Sequence, residues 1–468
     1  MNTQLKMAEI DKFFNPSAVV VIGASNAAFN LGATICKTLK EDIAFPGRVF
    51  AVNRGAEDVH GAPGFKSVAE IADDVDLAVI VAPAAVVPGF VRDCGVKGIR
   101  NIVIESSGFS EQGNGGQRLQ DEINDAARVH GIRIIGPNCL GILDNHKAFC
   151  CLYGANELVK KTVEKPGGVS YVIQSGGVGG LVAERILEDL PGVNKMVCIG
   201  NKSDVDESDF INYFNTDNTR VIALYLENVE RGDKLMAAAL HSTKPVLVYK
   251  SGRSEAGSAA CVSHTAGLAN NDAVFDGACK QAGIIRLQSA EELHALPKMF
   301  TEMPLLAGNR IAVFTNSGAF GTIGADLLAD TDLVMAKFSP ETREKLGRLP
   351  GVFNAGNPVD IGPALPQIYL QIYDILLSDR NVDGLLNIVG MWRDYVADVL
   401  SELVTLCRRH HKPAALFSFN AMASVQAART DKNLPLFATL EEAVRALVVS
   451  HQQFRYLDKK ENHRGKNN

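Results

Sequence analysis

One histidine stands in surroundings that would suit chemistry on its imidazole ring. His264 lies in the segment CVSHTAGLA, and residues 251–260 before it are rich in Gly, Ser and Ala. Small neighbours on an expected loop leave the ring accessible. An imidazole with a pKa of about 6.5 is nucleophilic at neutral pH and can accept a phosphoryl group. The alternative is an inert loop histidine, and the local pattern leaves both interpretations open.

An acidic residue closes a strand-like run upstream of this histidine. Glu227 follows the apolar segment LYL, just past a strand predicted at residues 221–225. A carboxylate there can accept a hydrogen bond from the second ring nitrogen of a histidine, which fixes the tautomer and stabilises positive charge on the ring. The alternative is a solvated acid at the end of a strand.

Two Ser-Gly turns each follow a strand-like run and open a helical pattern. They are SYVIQSGG, which ends in Ser175, Gly176 and Gly177, and IAVFTNSG, which ends in Ser317 and Gly318. Because backbone N–H groups at a helix N-terminus can face an anion, the two turns indicate phosphate chemistry. The alternative is that small residues merely permit close packing of helix on sheet.

A loop near the start of the chain also suits a phosphate-bearing ligand. The segment GASNAAFNLG begins with Gly23, Ala24 and Ser25, follows a strand-like run and opens a helix. It is not GxGxxG, and the second strand ends in Asn53 and Arg54, where a nicotinamide site usually carries an acid. The missing acid and the added arginine disfavour NAD and suit a phosphorylated nucleotide such as CoA.

A turn in the segment IIGPNCLG closes the last strand-like run of this region. Gly136 and Pro137 permit an unusual backbone path. Asn138 could then hydrogen-bond a ligand at the carboxyl end of the sheet, where open α/β sheets bind their ligands. The alternative is an ordinary turn that closes a domain.

The elements that must position these residues follow an alternating pattern. Short β-branched runs such as residues 18–22 and 77–81 alternate with longer helical periods, which predicts parallel sheets with crossover helices. The pattern restarts near residues 165–168 and again near 306–308. We therefore predict an α/β protein of three doubly wound domains. The predicted domain ranges are 1–150, 160–302 and 306–455, followed by a disordered tail at 456–468.

Composition excludes several classes of protein. The 468 residues carry a net charge of −6, which gives no electrostatic attraction to nucleic acid or acidic membranes. We find neither an apolar signal core at the start nor an apolar run long enough to span a bilayer, so no membrane association is expected. The nine cysteines form no CxxC pair, which indicates reduced thiols rather than a disulfide framework or a zinc site. We expect no metal site in this chain and a cytoplasmic location.

A set of short segments occurs here in the order found in one protein family. The segments are VVVIGAS, VDLAVIVAP, GIRIIGPNCLGI, GGVSYVIQSGG, IGNKSDVDESDF, KPVLVYKSGR, SHTAGLA, AVFTNSGAFG and GNPVDIG. From about Asn15 to about Leu447 the chain resembles the α subunit of ADP-forming acyl-CoA synthetases, and its first two domains are similar to the α subunit of succinyl-CoA synthetase. The resemblance implies one Rossmann-like CoA-binding domain and two flavodoxin-like domains of the succinyl-CoA synthetase type.

The resemblance also implies a reversible ligase reaction. A carboxylic acid, CoA and ATP would give acyl-CoA, ADP and phosphate through an acyl phosphate, with His264 as the phosphorylated residue and Glu227 as its partner. The helix termini around the phosphohistidine would be those of Ser175, Gly176, Gly177, Ser317 and Gly318. The residues holding CoA or the acyl group would be Gly23, Ala24, Ser25, Asn53, Pro83, Gly136, Pro137 and Asn138.

A partner follows from the same resemblance. Fused members of the family carry an ATP-grasp nucleotide domain, and neither that pattern nor a Gly-rich loop ending in Lys-Ser/Thr occurs here. We therefore expect a separate ATP-grasp β subunit, which binds most of the Mg²⁺ with ADP or ATP, in a hetero-oligomer such as α₂β₂. Two other functions stay open. One is a non-catalytic regulatory protein that binds CoA or acyl-CoA, and the other is an NAD-dependent oxidoreductase.

Overall fold

The computed structural model describes residues 3–153, 156–189, 192–265, 271–362, 365–391, 395–420, 425, 428 and 434–464. The chain divides into two compact units. The first comprises Met1–Leu187 and Gly192–Gln288, and the second Glu188–Pro191 and Ser289–Asn468. No helix in these described ranges carries an apolar stretch long enough to cross a bilayer.

The first sheet of unit 1 contains the predicted strands at residues 18–22 and 77–81 together with four others. Its strands are β1 Ala18–Ile22, β2 Arg48–Val52, β3 Gly64–Phe65, β4 Leu77–Ile80, β5 Asn101–Ile104 and β6 Arg133–Ile135. They pair in parallel in the order β3-β2-β1-β4-β5-β6, which is the Rossmann arrangement. The order reverses between β1 and β4, and a crevice for ligands is expected at the carboxyl ends of these two strands.

Helices cover both faces of this sheet, which explains why its strands read as continuous apolar runs. All five residues of β1 and all four of β4 are buried. The helices are α1 Thr3–Phe14, α2 Leu31–Lys37 with a π turn at Thr38–Asp42, α3 Val87–Lys97 and α4 Asn114–His130, with 3₁₀ turns at Val68–Glu70, Ala84–Val86 and Ser110–Gln112.

The second sheet of unit 1 has flavodoxin-like order. Its strands are β7 Ile142–Asp144, β8 Phe149–Cys150, β9 Val169–Ile173, β10 Val193–Cys198, β11 Val221–Leu226, β12 Val246–Lys250 and β13 Ile284–Arg286. The parallel strands run β10-β9-β11-β12-β13. Its helices are α5 Asn156–Val163, α6 Gly176–Asp189, α7 Glu207–Phe214, α8 Gly232–His241, α9 Glu255–Thr265 and α10 Asp272–Ala282.

The predicted domain range 1–150 includes two short strands that pair within the second sheet. Strands β7 and β8 lie before residue 151, yet β7 pairs antiparallel with β10 and β8 pairs with β7. The physical reason is that β10 would otherwise be an open edge, and β7 pairs with it. Helices add to the connection, since Phe14 of α1 stacks on Tyr213 of α7 with ring centroids 5.3 Å apart. The first two predicted domains therefore form one compact unit.

Unit 2 is built around a third, mostly parallel sheet. Its strands are β14 Arg310–Thr315, β15 Val334–Met335, β16 Val352–Asn354, β17 Val359–Ile361, β18 Gly384–Ile388, β19 Ala414–Phe417 and β20 Leu436–Phe437. Strand β14 lies at its centre, between β17 and β18. The helices are α11 Glu292–Ala295, α12 Pro297–Glu302, α13 Gly318–Ala329, α14 Pro340–Gly347, α15 Pro366–Ser378, α16 Tyr395–His410 and α17 Leu440–Arg464. The predicted α/β fold class is confirmed.

The predicted disordered tail at 456–468 is wrong for residues 456–464, which continue α17. The first half of this helix is anchored, since Ala443, Leu447 and Ser450 are buried. Extending an existing helix costs far less than starting one, so the polar residues that follow propagate it. Residues 465–468 lie outside the described part of the chain.

Candidate functional site

The loop between β1 and α2 is held by its own hydrogen bonds. Gly23 has φ of +97°, and a Cβ there would lie 2.0 Å from the carbonyl oxygen of Val81, so only glycine fits. The Asn30 side chain caps α2, because its Oδ1 accepts from the N–H groups of Ser25 (3.1 Å) and Ala33 (2.8 Å). Its Nδ2 donates to the Gly23 carbonyl at 3.0 Å. These hydrogen bonds therefore fix the conformation of the predicted loop beside the carboxyl end of β4. Ala24 in this loop is buried.

Asn53 is used locally. Its Nδ2 donates to the Glu57 carbonyl oxygen at 2.8 Å, and its Oδ1 accepts from the Glu57 N–H at 2.9 Å. The side chain thus closes the turn after β2. It is not among the residues that line the cavity described next, and its predicted contact with CoA stays a prediction.

A cavity of about 610 Å³ lies where the carboxyl ends of the two sheets of unit 1 meet. Six of the predicted site residues line it. They are Pro83, Asn138, Ser175, Gly176, Gly177 and Glu227. The sequence patterns did not single out the other lining residues, which are Leu31, Val81, Ala82, Glu105, Ser106, Ser107, Cys139, Tyr153, Gln174, Gly200 and Asn201. Residues predicted to bind CoA and residues predicted to bind phosphate therefore line the same cavity.

The Gly136–Asn138 turn joins the two sheets at this cavity. Its Gly136-Pro137 bond is cis, and Asn138 has φ of +58°. The Asn138 N–H donates to the Ser106 carbonyl at 2.9 Å, and the Pro137 carbonyl accepts from the Asn201 N–H at 2.9 Å. A Cβ at Gly200 would lie 2.2 Å from the Pro137 carbonyl oxygen. The turn is therefore fitted closely against the segment that follows β10.

The Asn201 side chain links the segment after β10 to three polar side chains of the first sheet's helices and turns. Its Nδ2 lies 2.7 Å from Glu111 Oε2, 3.0 Å from Gln120 Oε1 and 3.1 Å from Ser110 Oγ. Although burial acts to raise it, the pKa of Glu111 is held below its ordinary value by hydrogen bonds from Asn201 and backbone N–H groups including that of Gly108. An ionised Glu111 thus anchors Asn201.

Glu227 is buried in the cavity wall rather than solvated at a strand end. It is 8% exposed, and its Oε1 accepts from the Tyr225 hydroxyl at 3.3 Å. Its backbone N–H donates to Gln174 Oε1 at 2.8 Å, and Gln174 Nε2 donates to Asn228 Oδ1 at 2.6 Å. Gln174 therefore fixes the carboxyl end of β11 beside the start of α6. The role of Glu227 toward a histidine stays a prediction.

A buried ion pair supports the same strand end. Lys202 Nζ lies 3.2 Å from Glu207 Oε2 and donates to the Asn228 carbonyl at 2.8 Å. Burial raises the pKa of Glu207, and the Lys202 ammonium offsets part of that rise. Lys202 thus holds the residue next to Glu227 in place.

Sequence reasoning missed Glu105. It follows β5 directly and is buried, and its two carboxyl oxygens have no hydrogen-bond partner among the described residues. Burial raises the pKa of Glu105 well above its ordinary value. A signal was available, because an acid closes the apolar run Ile102–Ile104 in the same way that Glu227 closes its own.

The two Ser-Gly turns open helices as predicted. Ser175 precedes α6, whose first residues Gly176 and Gly177 line the cavity. In unit 2, Ser317 is the N-cap of α13, and its N–H donates to Thr315 Oγ1 at 3.0 Å. The Asp360 carboxyl lies beside Gly318 there, since a Cβ on that glycine would be 2.8 Å from Asp360 Oδ2. Burial raises the pKa of Asp360.

The segment before His264 is helical, which corrects the predicted loop. Helix α9 spans Glu255–Thr265 and so contains this histidine. Ser254 starts the helix, because its Oγ accepts from the Gly257 N–H at 3.1 Å and its carbonyl accepts from the Ser258 N–H at 2.8 Å. The His264 side chain and residues 266–270 lie outside the described part of the chain, so its predicted chemistry is not tested by the geometry.

Two family models match the chain. One described as a CoA binding domain matches residues 17–145. The other, described as a succinyl-CoA ligase like flavodoxin domain, matches residues 166–300. Together they cover the two sheets whose carboxyl ends form the cavity.

Curated relatives and a solved structure extend the likeness to the remainder of the chain. Acetate–CoA ligase [ADP-forming] II subunit alpha of Pyrococcus furiosus is 36% identical over 95% of this chain and 98% of its own length. Acetate–CoA ligase [ADP-forming] of Methanocaldococcus jannaschii is 40% identical over 75% of this chain, which spans only 49% of that relative. The dinucleotide-forming acetyl-coenzyme A synthetase 1 of Ca. Korarchaeum cryptofilum, solved in complex with phosphate and ADP, matches with a TM-score of 0.86 at 29% identity over 96% of this chain and 98% of that one.

Proposed function

This chain belongs to the family of ADP-forming acetate–CoA ligases, and from this premise we propose that it is the α-type chain of an ADP-forming acyl-CoA synthetase. The proposed reaction is reversible and joins a carboxylic acid to CoA at the expense of ATP, with ADP and phosphate as the other products. It proceeds through an acyl phosphate and a phosphohistidine. The relatives support this ligase function over a non-catalytic CoA-binding protein and over an NAD-dependent oxidoreductase.

The observation that carries the proposal is the shared cavity of unit 1. The Rossmann-like side supplies Pro83 and Asn138, where CoA binding is predicted, and the flavodoxin-like side supplies the N-terminus of α6 and Glu227. A thioester and a phosphate must meet for an acyl phosphate to form. A cavity between the two sheets gives both groups one place to react.

Two group transfers, of the acyl group and then of the phosphoryl group, come before the nucleotide reacts. In the direction of ATP synthesis, phosphate oxygen attacks the thioester carbon, the C–O bond forms, the C–S bond breaks and CoA leaves. A ring nitrogen of His264 then attacks phosphorus, so that a P–N bond forms and the carboxylate leaves. Glu227 accepts a hydrogen bond from the other ring nitrogen and stabilises the charge on the ring.

The helix N-terminus at Ser175–Gly177 suits the phosphoryl group in these transfers. The backbone N–H groups at this terminus favour the binding of a phosphoryl dianion. The aligned peptide dipoles of α6, a helix of fourteen residues, act in the same direction. We keep Ser317 and Gly318 as a second predicted helix terminus for the phosphohistidine. Gly23, Ala24, Ser25, Asn53, Gly136 and Pro137 likewise remain proposed contacts of CoA or the acyl group.

A second polypeptide is part of the proposal. The Pyrococcus furiosus relative is named as a subunit alpha, so we assign the nucleotide to a β subunit of ATP-grasp type, in a hetero-oligomer such as α₂β₂. Among the described residues, no group of three or more His, Cys, Asp or Glu side chains could hold a metal ion. We assign Mg²⁺, bound with ADP or ATP, mainly to the partner as part of the same proposal.

The cytoplasmic location also remains part of the proposal. Eight of the nine cysteines have described side chains, and these eight are buried and unpaired. This usage is typical of proteins that work in a reducing compartment.

The proposal is tested by ATP formation from acyl-CoA, phosphate and ADP. We expect ATP only when the second polypeptide is added to the purified chain, and none with a His264→Asn chain. Lys234→Met, an exposed change on α8, is the control and should keep full activity. Turnover by the His264→Asn chain at the wild-type rate would refute the phosphohistidine route.

A further inference from the structure

A buried amide side chain joins two of the turns that line the cavity. Gln174 stands between the end of β9 and Ser175, which precedes α6, and is 5% exposed. Its Oε1 accepts from the backbone N–H groups of Glu227 (2.8 Å) and Asn228 (3.2 Å), which follow β11. Its Nε2 donates to Asn228 Oδ1 at 2.6 Å. One side chain therefore ties the turn after β9 to the turn after β11 by three hydrogen bonds.

These bonds continue the strand pairing beyond the end of the strands. The pairing of β9 with β11 ends at Tyr225, whose carbonyl also accepts from the Gln174 N–H at 3.0 Å. Helix α6 begins at Gly176, so the ladder does not run on. The Gln174 side chain extends the connection along the second segment as far as Glu227 and Asn228.

The same segment is held from another side. Lys202 Nζ donates to the Asn228 carbonyl at 2.8 Å and lies 3.2 Å from Glu207 Oε2. Because Lys202 follows β10, the turns after the adjacent strands β10, β9 and β11 are all connected through Asn228. Breaking these buried hydrogen bonds would leave polar groups unsatisfied, so the arrangement is strongly held. The contacts of Gln174 are the ones that tie this segment to the start of α6.

The two turns carry the two groups that the proposed phosphoryl transfer requires. In that reaction the phosphoryl group lies at the N-terminus of α6, at Ser175–Gly177, and Glu227 orients the imidazole ring that attacks it. Both turns line the same cavity. The ring nitrogen meets phosphorus in the right geometry only if the two turns keep a fixed separation. A displacement of about 1 Å can lower a rate by about 10²-fold.

We infer that Gln174 is a positioning residue for phosphoryl transfer, whose amide holds the Glu227 backbone at a fixed place relative to the N-terminus of α6. This inference rests on the proposed function. Gln174 acts through Glu227, and none of its own bonds forms or breaks in the reaction. Removing its hydrogen bonds should therefore slow the transfer to His264 without changing the affinity for CoA.

The test isolates this transfer by using acetyl phosphate with an isotopically labelled phosphoryl group as the donor. The chain is mixed with saturating acetyl phosphate, with the second polypeptide present and without nucleotide, and label on His264 is followed by rapid quench. We expect Gln174→Met to slow labelling by about 10²-fold, because methionine fills a similar space without these hydrogen bonds. Titration calorimetry should show unchanged affinity for CoA. Gln117→Met, an exposed change on α4, is the matched control and should keep the wild-type rate.

A double-mutant cycle separates positioning from a general loss of structure. If Gln174 acts through Glu227, the double variant Gln174→Met with Glu227→Gln should label no more slowly than Glu227→Gln alone. Rate losses that multiply in the double variant would overturn the inference. So would labelling at the wild-type rate by either single variant, since nothing would then depend on where Glu227 is held.

The milder variant Gln174→Glu keeps the cycle available should Gln174→Met fail to fold. Its carboxylate still accepts from both backbone N–H groups, but it does not donate to Asn228 Oδ1 and it brings a negative charge near Glu227. It should label His264 more slowly than the wild type, and this loss should disappear in the Glu227→Gln background. A loss that persists there, or no loss at all, would overturn the inference. Absence of label in the wild type and in Gln117→Met alike would instead refute the proposed function.

Discussion

At the scale of single residues, three carboxyl groups in and around the cavity differ because of what surrounds them. Glu111 accepts hydrogen bonds from Asn201 and from backbone N–H groups, and its pKa is held low. Glu105 has no such donor among the described residues, and burial raises its pKa. Glu227 accepts from the Tyr225 hydroxyl. Hydrogen bonds and burial, not residue type, therefore set the chemistry that each group offers.

Glu227→Gln tests the role of this side chain toward the proposed phosphohistidine. The amide keeps the size but loses the negative charge that would stabilise a positively charged ring. We expect phosphoryl transfer to slow by about 10²–10⁴-fold, the usual range for such groups, with little effect on CoA affinity. Rapid-quench measurement of phosphohistidine formation would check the rate, and titration calorimetry the affinity.

The matched control for this prediction is Glu230→Gln. Glu230 lies three residues further on and is exposed, so its change should leave both measurements unaltered. A Glu227→Gln protein with normal phosphoryl transfer would show that this buried carboxyl group only supports the strand end.

Position on a strand or turn was enough to predict where Asn138 and Glu227 lie, because strand ends meet at one edge of a sheet, and both residues line the cavity. Their roles stay predictions. Glu105 was passed over although it ends a strand in the same way. The Asn53 side chain bonds the Glu57 backbone, which the sequence pattern did not indicate, and its predicted contact with CoA stays a prediction. Such local competition between side chain and backbone depends on loop geometry that the residue order does not reveal.

At the scale of elements, the turns after the strands hold the cavity wall. Gln174 and Lys202 reach from two turns to the carboxyl end of β11. Lys202 is 8% exposed and its partner Glu207 is 2% exposed. A buried ion pair of this kind fixes the geometry of a turn but leaves a costly charge behind if it is broken.

Lys202→Met should therefore lower the free energy of unfolding by about 3–5 kcal/mol, since Glu207 would be left buried without its cation. Unfolding in urea is the measurement. Lys234→Met, an exposed lysine on α8, should change stability by no more than about 0.5 kcal/mol. The double variant Lys202→Met with Glu207→Leu should recover much of the loss. Equal stability of the two single lysine variants would contradict a structural role for the pair.

Elements with a long apolar run were predictable, and short or polar ones were not. The two-residue strands β3, β8, β15 and β20 are too short to show an alternation of apolar and polar residues. Gly and Ser are poor helix formers, so the composition of residues 251–260 favours a loop, whereas the Ser254 cap stabilises the start of helix α9. The polar end of α17 is helical only because its first half is packed.

At the scale of the whole chain, the three predicted sheets are present but are grouped differently. The first two share one compact unit, and the third forms the other. The grouping depends on the pairing of β7 with β10 and on the fit of Gly200 against Pro137. Both are contacts between distant segments, which explains why patterns along the chain placed the boundary at residue 150.

The ordered motifs identified the family where the bulk composition could not. The family models match both sheets of unit 1, and the Pyrococcus furiosus relative aligns over 95% of the chain. Individual motifs such as a Ser-Gly turn had equally good structural explanations. The order of these motifs along one chain has no such structural explanation, and this order identified the family.

Locating the residue that becomes labelled by phosphate tests the phosphohistidine mechanism most directly. The protein is incubated with acyl-CoA and isotopically labelled phosphate, without nucleotide, and analysed by mass spectrometry under alkaline conditions. We predict one acid-labile phosphate on His264, its absence in His264→Asn, and its loss when ADP and the second polypeptide are added. Label that persists in His264→Asn, or that resides on another residue, would contradict the phosphohistidine mechanism.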